Sequence, residues 1–305
     1  MTLSATTEQA AIALRSDVTF SMPWAMVQHL PFREQVRAVV LAGFQEMSLS
    51  PIDIIRSICA GVSLHEMKTV LDGEGIVVGR VDPLTAWVPN WKAHNFDFDF
   101  SFTTATDPQA IFDVADHFGA KHVSLNAMWH PDTYTQAELV EHYATICRRA
   151  APHGLTCDIE PIPMWGIPRL EDALKIIELS GVTNSGIVLD TTHFFRGETP
   201  LDILASMPGD LVTTVQICDG YMPATASLED ECFHRLWPGE GGFQLNAMID
   251  LLDDIGGLKA VGPEIFAPTY ALERTPAEDI AIMARESMLR FPKLTAIGYS
   301  PPGNY

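Results

Sequence analysis

The sequence predicts an α/β architecture in which eight parallel strands close into a single (β/α)8 barrel. Three observations predict it. Short apolar runs alternate eight times with helical stretches, the pattern of a parallel sheet covered by helices. Four of the runs (Leu155–Glu160, Ile187–Asp190, Thr213–Gln216 and Ala260–Glu264) stop abruptly near an oxygen-bearing side chain. The 305 residues carry no evident linker and fit one such barrel, for which about 250 residues is typical. An open doubly wound sheet is the rival, but no G-x-G-x-x-G or G-x-x-x-x-G-K follows the first strand. The expectation is one domain over 1–305, with an N-terminal arm at 1–15 and a C-terminal tail at 293–305.

The elements follow in order. Asp17–Ser21 reads as the first strand, Phe32–Ala42 as a helix, and Gly43–Leu49 as the second strand. A helix over Ser63–Leu71 is stopped by Gly73 and Gly75, and Ile76–Val81 is the third strand. Asp107-Pro108 opens a helix that ends at Gly119, with Asp as N-cap and Pro in the first turn. Lys121–Leu125, which takes in His122, is the fourth strand, and Thr135-x-x-Glu138 is a capping box for a helix running to Ala150. Leu155–Glu160 is the fifth strand, with a helix over Leu170–Leu179 ended by Gly181; Gly186–Asp190 is the sixth. Thr199-Pro200 caps a short helix, Leu211–Gln216 is the seventh strand, and Phe243–Ile255 is helical. Lys259–Glu264 is the eighth strand, and Thr275-Pro276-Ala277-Glu278 is a capping box for the last helix. Two connections, after strands three and seven, are long enough to be functional.

Composition narrows the function classes. A formal net charge of -20 argues against a nucleic-acid backbone as partner, because phosphate binding needs a basic surface. No stretch approaches the ~18 to 20 apolar residues of a membrane span, and no cationic flank with an apolar run marks a signal peptide. Five scattered cysteines without C-x-x-C spacing read as reduced thiols, so a cytoplasmic location is expected. A small-molecule substrate is the expected partner, and a homo-oligomer is left open.

The strand ends carry the chemistry. Active sites of such barrels lie at the carboxyl ends of the strands, where Glu160, Asp190, Gln216 and Glu264 stand on four consecutive strands. Alone, each carboxylate is as readily paired with an arginine or a backbone amide. Together, three carboxylates and an amide carbonyl suit one hard divalent ion, Mn²⁺ or Mg²⁺ ahead of Co²⁺ or Zn²⁺.

The same residues carry a resemblance. Ile159-Glu160-Pro161, the D-x-x-H of Asp190 to His193, Val215-Gln216-Ile217-Cys218-Asp219, Pro238-Gly239-Glu240-Gly241 and Pro263-Glu264 resemble the xylose isomerase-like TIM-barrel superfamily. That group includes sugar epimerases, hydroxypyruvate isomerase, inosose dehydratase and 3-dehydroshikimate dehydratase. The resemblance implies that Glu160, Asp190, Gln216 and Glu264 are metal ligands, and that His193 lies beside the metal and touches substrate. Gln216 departs from the epimerase pattern, which has His there, whereas the hydroxypyruvate isomerase-like branch carries Gln. The ligand set becomes all-oxygen, which disfavours zinc and a plain ketose epimerase.

Chelation of a carbonyl and its neighbouring hydroxyl by a divalent ion acidifies the C–H between them. One carboxylate then removes the proton and another returns it, with Glu160 and Glu264 as the candidates and His193 either bonding the oxygen that gains charge or supporting Asp190 from behind. The expected function is a metal-dependent isomerase or epimerase of a carbohydrate-like α-hydroxycarbonyl compound. A lyase of the same superfamily, in which the enediolate expels a β-substituent, is the alternative, and a non-catalytic binding subunit is a weaker one. Endonuclease IV needs a histidine-rich three-zinc cluster that this chain lacks.

All six tryptophans fall in segments after predicted strands, which suggests an aromatic-lined mouth with Trp24, Trp129, Trp165 and Trp237 against substrate. Phe96, Phe98, Phe100 and Phe102 alternate in the loop after the third strand, as in an extended lid or a partner-facing segment with one apolar face. His130 and His234 lie in mouth loops, and Asp219 reads as a structural residue that orients a ligand from behind. No Gly-rich phosphate cradle is visible, so a phosphorylated substrate is not favoured.

Overall fold

The structure, a computed structural model, describes residues 11–92, 107–266 and 268–298. Eight strands close into a parallel barrel in sequence order: β2 (Thr19–Met22), β3 (Glu46–Leu49), β4 (Val77–Leu84), β5 (His122–Asn126), β6 (Thr156–Glu160), β7 (Ser185–Asp190), β8 (Val212–Ile217) and β9 (Ala260–Pro263). All eight expected strands are present, with ends that agree to within three residues and coincide at Leu49, Glu160 and Asp190. The phenylalanines of the predicted lid lie outside the described residues.

The helix boundaries follow the local chemistry. α2 (Phe32–Ala42) stops where Gly43 takes φ 71°, a left-handed turn that glycine adopts without steric cost. α5 (Pro108–Phe118) is capped by the Asp107 side chain, and α6 (Gln136–Ala150) carries the full Thr135/Glu138 capping box. Two expected caps do not form. α9 (Leu201–Ser206) and α13 (Ala277–Leu289) both begin one residue after a proline that occupies the N-cap position, with no side-chain cap. Thr199 and Thr275 are therefore one residue too early, and Glu278, at the second helical position, pairs with Arg37 instead.

Several elements were not expected. Ser50 and Asp53 form a capping box for α3 (Pro51–Cys59). Short helices α1 (Trp24–Val27), α8 (Thr191–Arg196), α10 (Leu228–Cys232) and α12 (Pro268–Glu273) fill the connections. The segments read as arm and tail meet: β1 (Ala11–Leu14) pairs antiparallel with β10 (Thr295–Gly298). Arg15 Nη1 donates there to Asp253 Oδ1 at 2.7 Å and to the Lys293 carbonyl at 2.9 Å.

The barrel lumen is polar over much of its depth, unlike the branched apolar filling usual for this architecture. Arg80 Nη1 donates to Ser124 Oγ at 3.1 Å and to Asp158 Oδ2 at 3.3 Å. A register shift between β7 and β8 lies beside Thr213, whose hydroxyl donates to Asp158 Oδ2 at 2.6 Å. Gly186 makes room: a Cβ there would lie 2.3 Å from Asp158 Oδ1. Buried charges need partners on this scale, and the layer supports the acidic cluster above it. Among the described residues, no helix is long and apolar enough to cross a membrane.

Candidate active site

Strand pairing places the polar strand ends side by side. Asn126 is in register with Glu160, and Asp190 with Gln216. Asp190 ends β7 and caps α8, its Oδ1 accepting the His193 backbone N–H at 3.1 Å. That cap turns the chain sharply enough to bring the imidazole back over the barrel. Thr191 fastens the adjacent strand end, its hydroxyl donating to the Cys218 carbonyl at 2.7 Å and accepting the Cys218 N–H at 2.8 Å.

Glu160, Asp190 and His193 are all buried, and one potential ligand atom of each lies within 4.8 Å of the others. His193 Nε2 is 3.6 Å from Glu160 Oε1. Asn126 Nδ2 donates to the other oxygen, Glu160 Oε2, at 3.0 Å. Gln216 Nε2 donates to Glu264 Oε1 at 2.7 Å, leaving Gln216 Oε1 buried without a partner among the described residues.

Sequence reasoning missed Arg235. Its Nη1 donates to Asp190 Oδ2 at 2.7 Å, to Glu264 Oε2 at 2.8 Å and to the Glu264 carbonyl at 3.2 Å. The arginine pairing open to any single strand-end carboxylate is thus realised for two of the four residues at once. Asp219 holds the segment that carries it. Its backbone bridges Leu236, and its carboxylate accepts the N–H groups of Gly220, Gly239 and Phe243 at 2.9, 3.1 and 3.0 Å. Asp219 is structural, as expected, but it acts on the Arg235 segment and touches none of the four strand-end residues.

Burial dominates the electrostatics. Desolvation pushes the Glu160 carboxyl well above the usual range, with the negative charges of Asp82 and Asp190 adding to it. Glu264 is likewise raised by burial, only partly offset by Arg235. Burial also opposes ionisation of Asp190, but Arg235 and His193 outweigh it and bring its carboxyl down to about 2. Adjacent acids whose proton affinities are driven apart are the pattern of an acid/base site. Desolvation lowers His193 to about 4, so its imidazole is neutral at pH 7.

A cavity of about 1150 Å³ opens at the carboxyl ends of β2 to β5 and β9; none of the cluster residues lines it, and it approaches them through Phe266, whose ring lies against Arg235. Of the expected wall tryptophans, Trp24 lines it, edge-on to Phe266 at 5.4 Å. Trp129 and Trp165 do not. Trp129 is 2% exposed and packs against Trp87 at 5.1 Å and Tyr134 at 5.5 Å. Trp165 is buried with Met128 and Ile162. Trp237 is half-buried near Tyr270. A position after a strand does not set the direction of a ring, and these rings turn back onto the loops. His130 is exposed, its Nδ1 lying 2.5 Å from the Pro131 carbonyl. His234 lies in a separate small cavity with Arg196. His122 is on β5, 3.0 Å from Asp158.

The donor set fits a divalent cation: carboxylates, one neutral imidazole and the orphaned amide oxygen of Gln216. Comparison with known proteins identifies the family. The family model described as xylose isomerase-like TIM barrel matches residues 84–289. The inosose isomerase of Bacillus velezensis is 29% identical over 140 residues, 45% of this chain and 49% of that protein. The 3-dehydroshikimate dehydratase of Pseudomonas aeruginosa is 24% identical over 257 residues, 78% of this chain and 37% of that protein. The aligned stretch spans about half the length of the curated inosose isomerase. The crystal structure of IolI protein with a bound zinc atom superposes with a TM-score of 0.76 at 18% identity, over 89% of this chain and 97% of that one. At that identity the likeness is one of fold.

Proposed function

Because this chain belongs to the xylose isomerase-like TIM-barrel family, we propose that it is an enzyme that moves a proton on an α-hydroxycarbonyl compound with the help of one divalent ion, Mn²⁺ or Mg²⁺ by preference. The observation that carries the reading is the buried Glu160–Asp190–His193 cluster at the strand ends. Glu160, Asp190, Gln216 and Glu264 would hold the ion, with His193 close enough to share in it. When bound, the ion supplies Lewis-acid polarisation of the substrate carbonyl.

The chain's own groups account for the remaining steps. Asn126 holds one oxygen of Glu160, leaving the other free towards His193 and the substrate. Burial strengthens Glu160 and Glu264 as bases once they are ionised, so one can take the proton from carbon and the other can return it to the same or a neighbouring carbon. Neutral His193 can donate a hydrogen bond to the oxygen on which charge develops. Arg235, fixed between Asp190 and Glu264, adds a permanent positive charge to the same region.

Reprotonation makes the enzyme an isomerase or epimerase, and this is the leading reading. A dehydratase is the second, favoured by the length of the match, since the dehydratase aligns over 78% of this chain and the inosose isomerase over 45%. Incubation of the Mn²⁺-loaded protein with an inosose and with 3-dehydroshikimate, followed by mass spectrometry in heavy water, separates the two. Solvent deuterium in a product of unchanged skeleton supports the isomerase. Loss of one water supports the dehydratase. Neither change on any α-hydroxycarbonyl substrate, with metal bound, overturns the proposal.

A further inference from the structure

The large cavity beside the carboxylate cluster has a composition that a bare sugar does not explain. Its walls include Trp24, Ile52, Pro83, Met128, Phe233 and Phe266, and such walls take hydrocarbon rings and sugar faces but offer little to a polyol's hydroxyls. None of the cluster residues lines the cavity, but Phe266, which does, has its ring 5.0 Å from the guanidinium of Arg235, the group paired with Asp190 and Glu264. Among the described lining residues, the permanently charged cations are Arg56 and Arg274, and the acid is Asp53. Asp53 is committed to its helix, accepting the Ser50 hydroxyl at 2.9 Å.

Neither arginine is spent on an ion pair among the described residues. Arg56 Nη1 donates to the Gln28 carbonyl at 3.3 Å and acts on Asp53 only through its field. Arg274 has φ 55°, a left-handed conformation that a residue other than glycine holds only where its surroundings impose it. Those surroundings are visible. The Thr275 N–H donates to the Tyr270 carbonyl at 3.0 Å, and His29, across the cavity rim, lies 2.8 Å from the Thr275 carbonyl. The turn that presents Arg274 to the cavity is therefore held from both sides.

We infer that Arg56 and Arg274 form a carboxylate-binding subsite, and that the substrate is an organic acid whose apolar ring lies on the aromatic wall between them and the carboxylate cluster. This deepens the proposed function and rests on it for the identity of the reacting end. A chain of formal charge -20 repels anions at long range. Two guanidinium groups on the cavity lining oppose this locally, and their planar donors match a carboxylate.

The test uses cyclohexanecarboxylate and its neutral counterpart cyclohexylmethanol as non-reacting probes. Binding to the full-length protein is read by ligand-observed NMR and by Trp24 fluorescence, with and without Mn²⁺. The acid is expected to bind about tenfold or more tightly than the alcohol, with the preference falling as salt rises. Arg56→Gln and Arg274→Gln should each weaken it severalfold, and the double variant should bind the two probes alike. Both side chains are exposed, so the variants should fold normally. Equal affinity for the two probes in the unaltered protein, no saturable binding of the acid at millimolar concentration, or a preference that survives in the double variant overturns the inference. Because neither probe reacts, failure here is distinct from failure of the proposed chemistry, which is read by turnover.

Discussion

Arg235 and Asp190 meet in the barrel mouth, with guanidinium Nη1 2.7 Å from carboxylate Oδ2 and both side chains almost wholly buried. The same nitrogen reaches Glu264 at 2.8 Å. Removing one partner of a buried ion pair leaves an uncompensated charge and costs ~3 to 5 kcal/mol. Arg235→Met should therefore unfold much more easily than the unaltered protein in the presence of a chelator. Added Mn²⁺ should restore part of the loss, since the freed carboxylates can then meet a divalent cation. Equal denaturant midpoints for the two proteins in chelator would show that Arg235 does not hold these acids together.

Metal content is the simplest quantity to measure. Protein prepared without chelators should contain about one divalent ion per chain, in keeping with the single cluster of oxygen donors and one imidazole among the described residues. Chelation should abolish turnover, and Mn²⁺ or Mg²⁺ should restore it. Stoichiometric zinc held by thiolates would contradict the ligand assignment.

Glu160 and Glu264 should be separable from mere ligation. Replacing either with Gln keeps an oxygen donor but removes the base, and turnover should fall by at least ~10², the usual scale for a positioned acid or base. Metal analysis of each variant is needed alongside. A variant that keeps its metal and near-normal turnover would exclude that residue from proton transfer.

The strands and their terminal oxygen-bearing side chains were legible because a strand buried on both faces must be continuously apolar and then must end. Glu160, Asp190, Gln216 and Glu264 declare themselves in that way. Asn126 lies one position beyond the apolar run that stops at Leu125, yet it pairs in register with Glu160. Arg235 gave no such local signal. It lies in a long connection, and the Asp219 bridge to Leu236, with the Asp219 contacts to Gly239 and Phe243, brings it to Asp190. The tryptophans show the opposite failure: their positions along the chain were informative, but their directions are set by tertiary packing.

That difference between tryptophans can be measured. Trp129, 2% exposed within the core, should cost ~3 to 5 kcal/mol of stability when changed to Ala. Trp24→Ala, at a cavity wall, should cost much less and appear mainly as a raised KM. If Trp129→Ala raised KM while leaving stability intact, its place would be at the substrate and not in the core.

Asp53 links the cavity wall to pH. Its carboxyl is buried beside the Ser50 cap, and desolvation, only partly offset by hydrogen bonds from Ser50, raises it from 3.8 to about 6. The folded state therefore binds this proton more tightly than the unfolded chain does. Stability then falls as pH rises, because the unfolded state holds fewer protons across the window between the two values. The penalty is absent below pH 3.8 and complete above about pH 6, and it amounts to at most about 3 kcal/mol at 1.36 kcal/mol per unit. Asp53→Asn keeps an acceptor for the Ser50 N–H but carries no charge to bury. Denaturant unfolding at a series of pH values between 4 and 7 should show the unaltered protein losing stability, relative to the variant, as pH rises. A difference between the two proteins that stays constant across that range would mean that Asp53 does not titrate there, and that the Ser50 hydrogen bonds hold it ionised throughout.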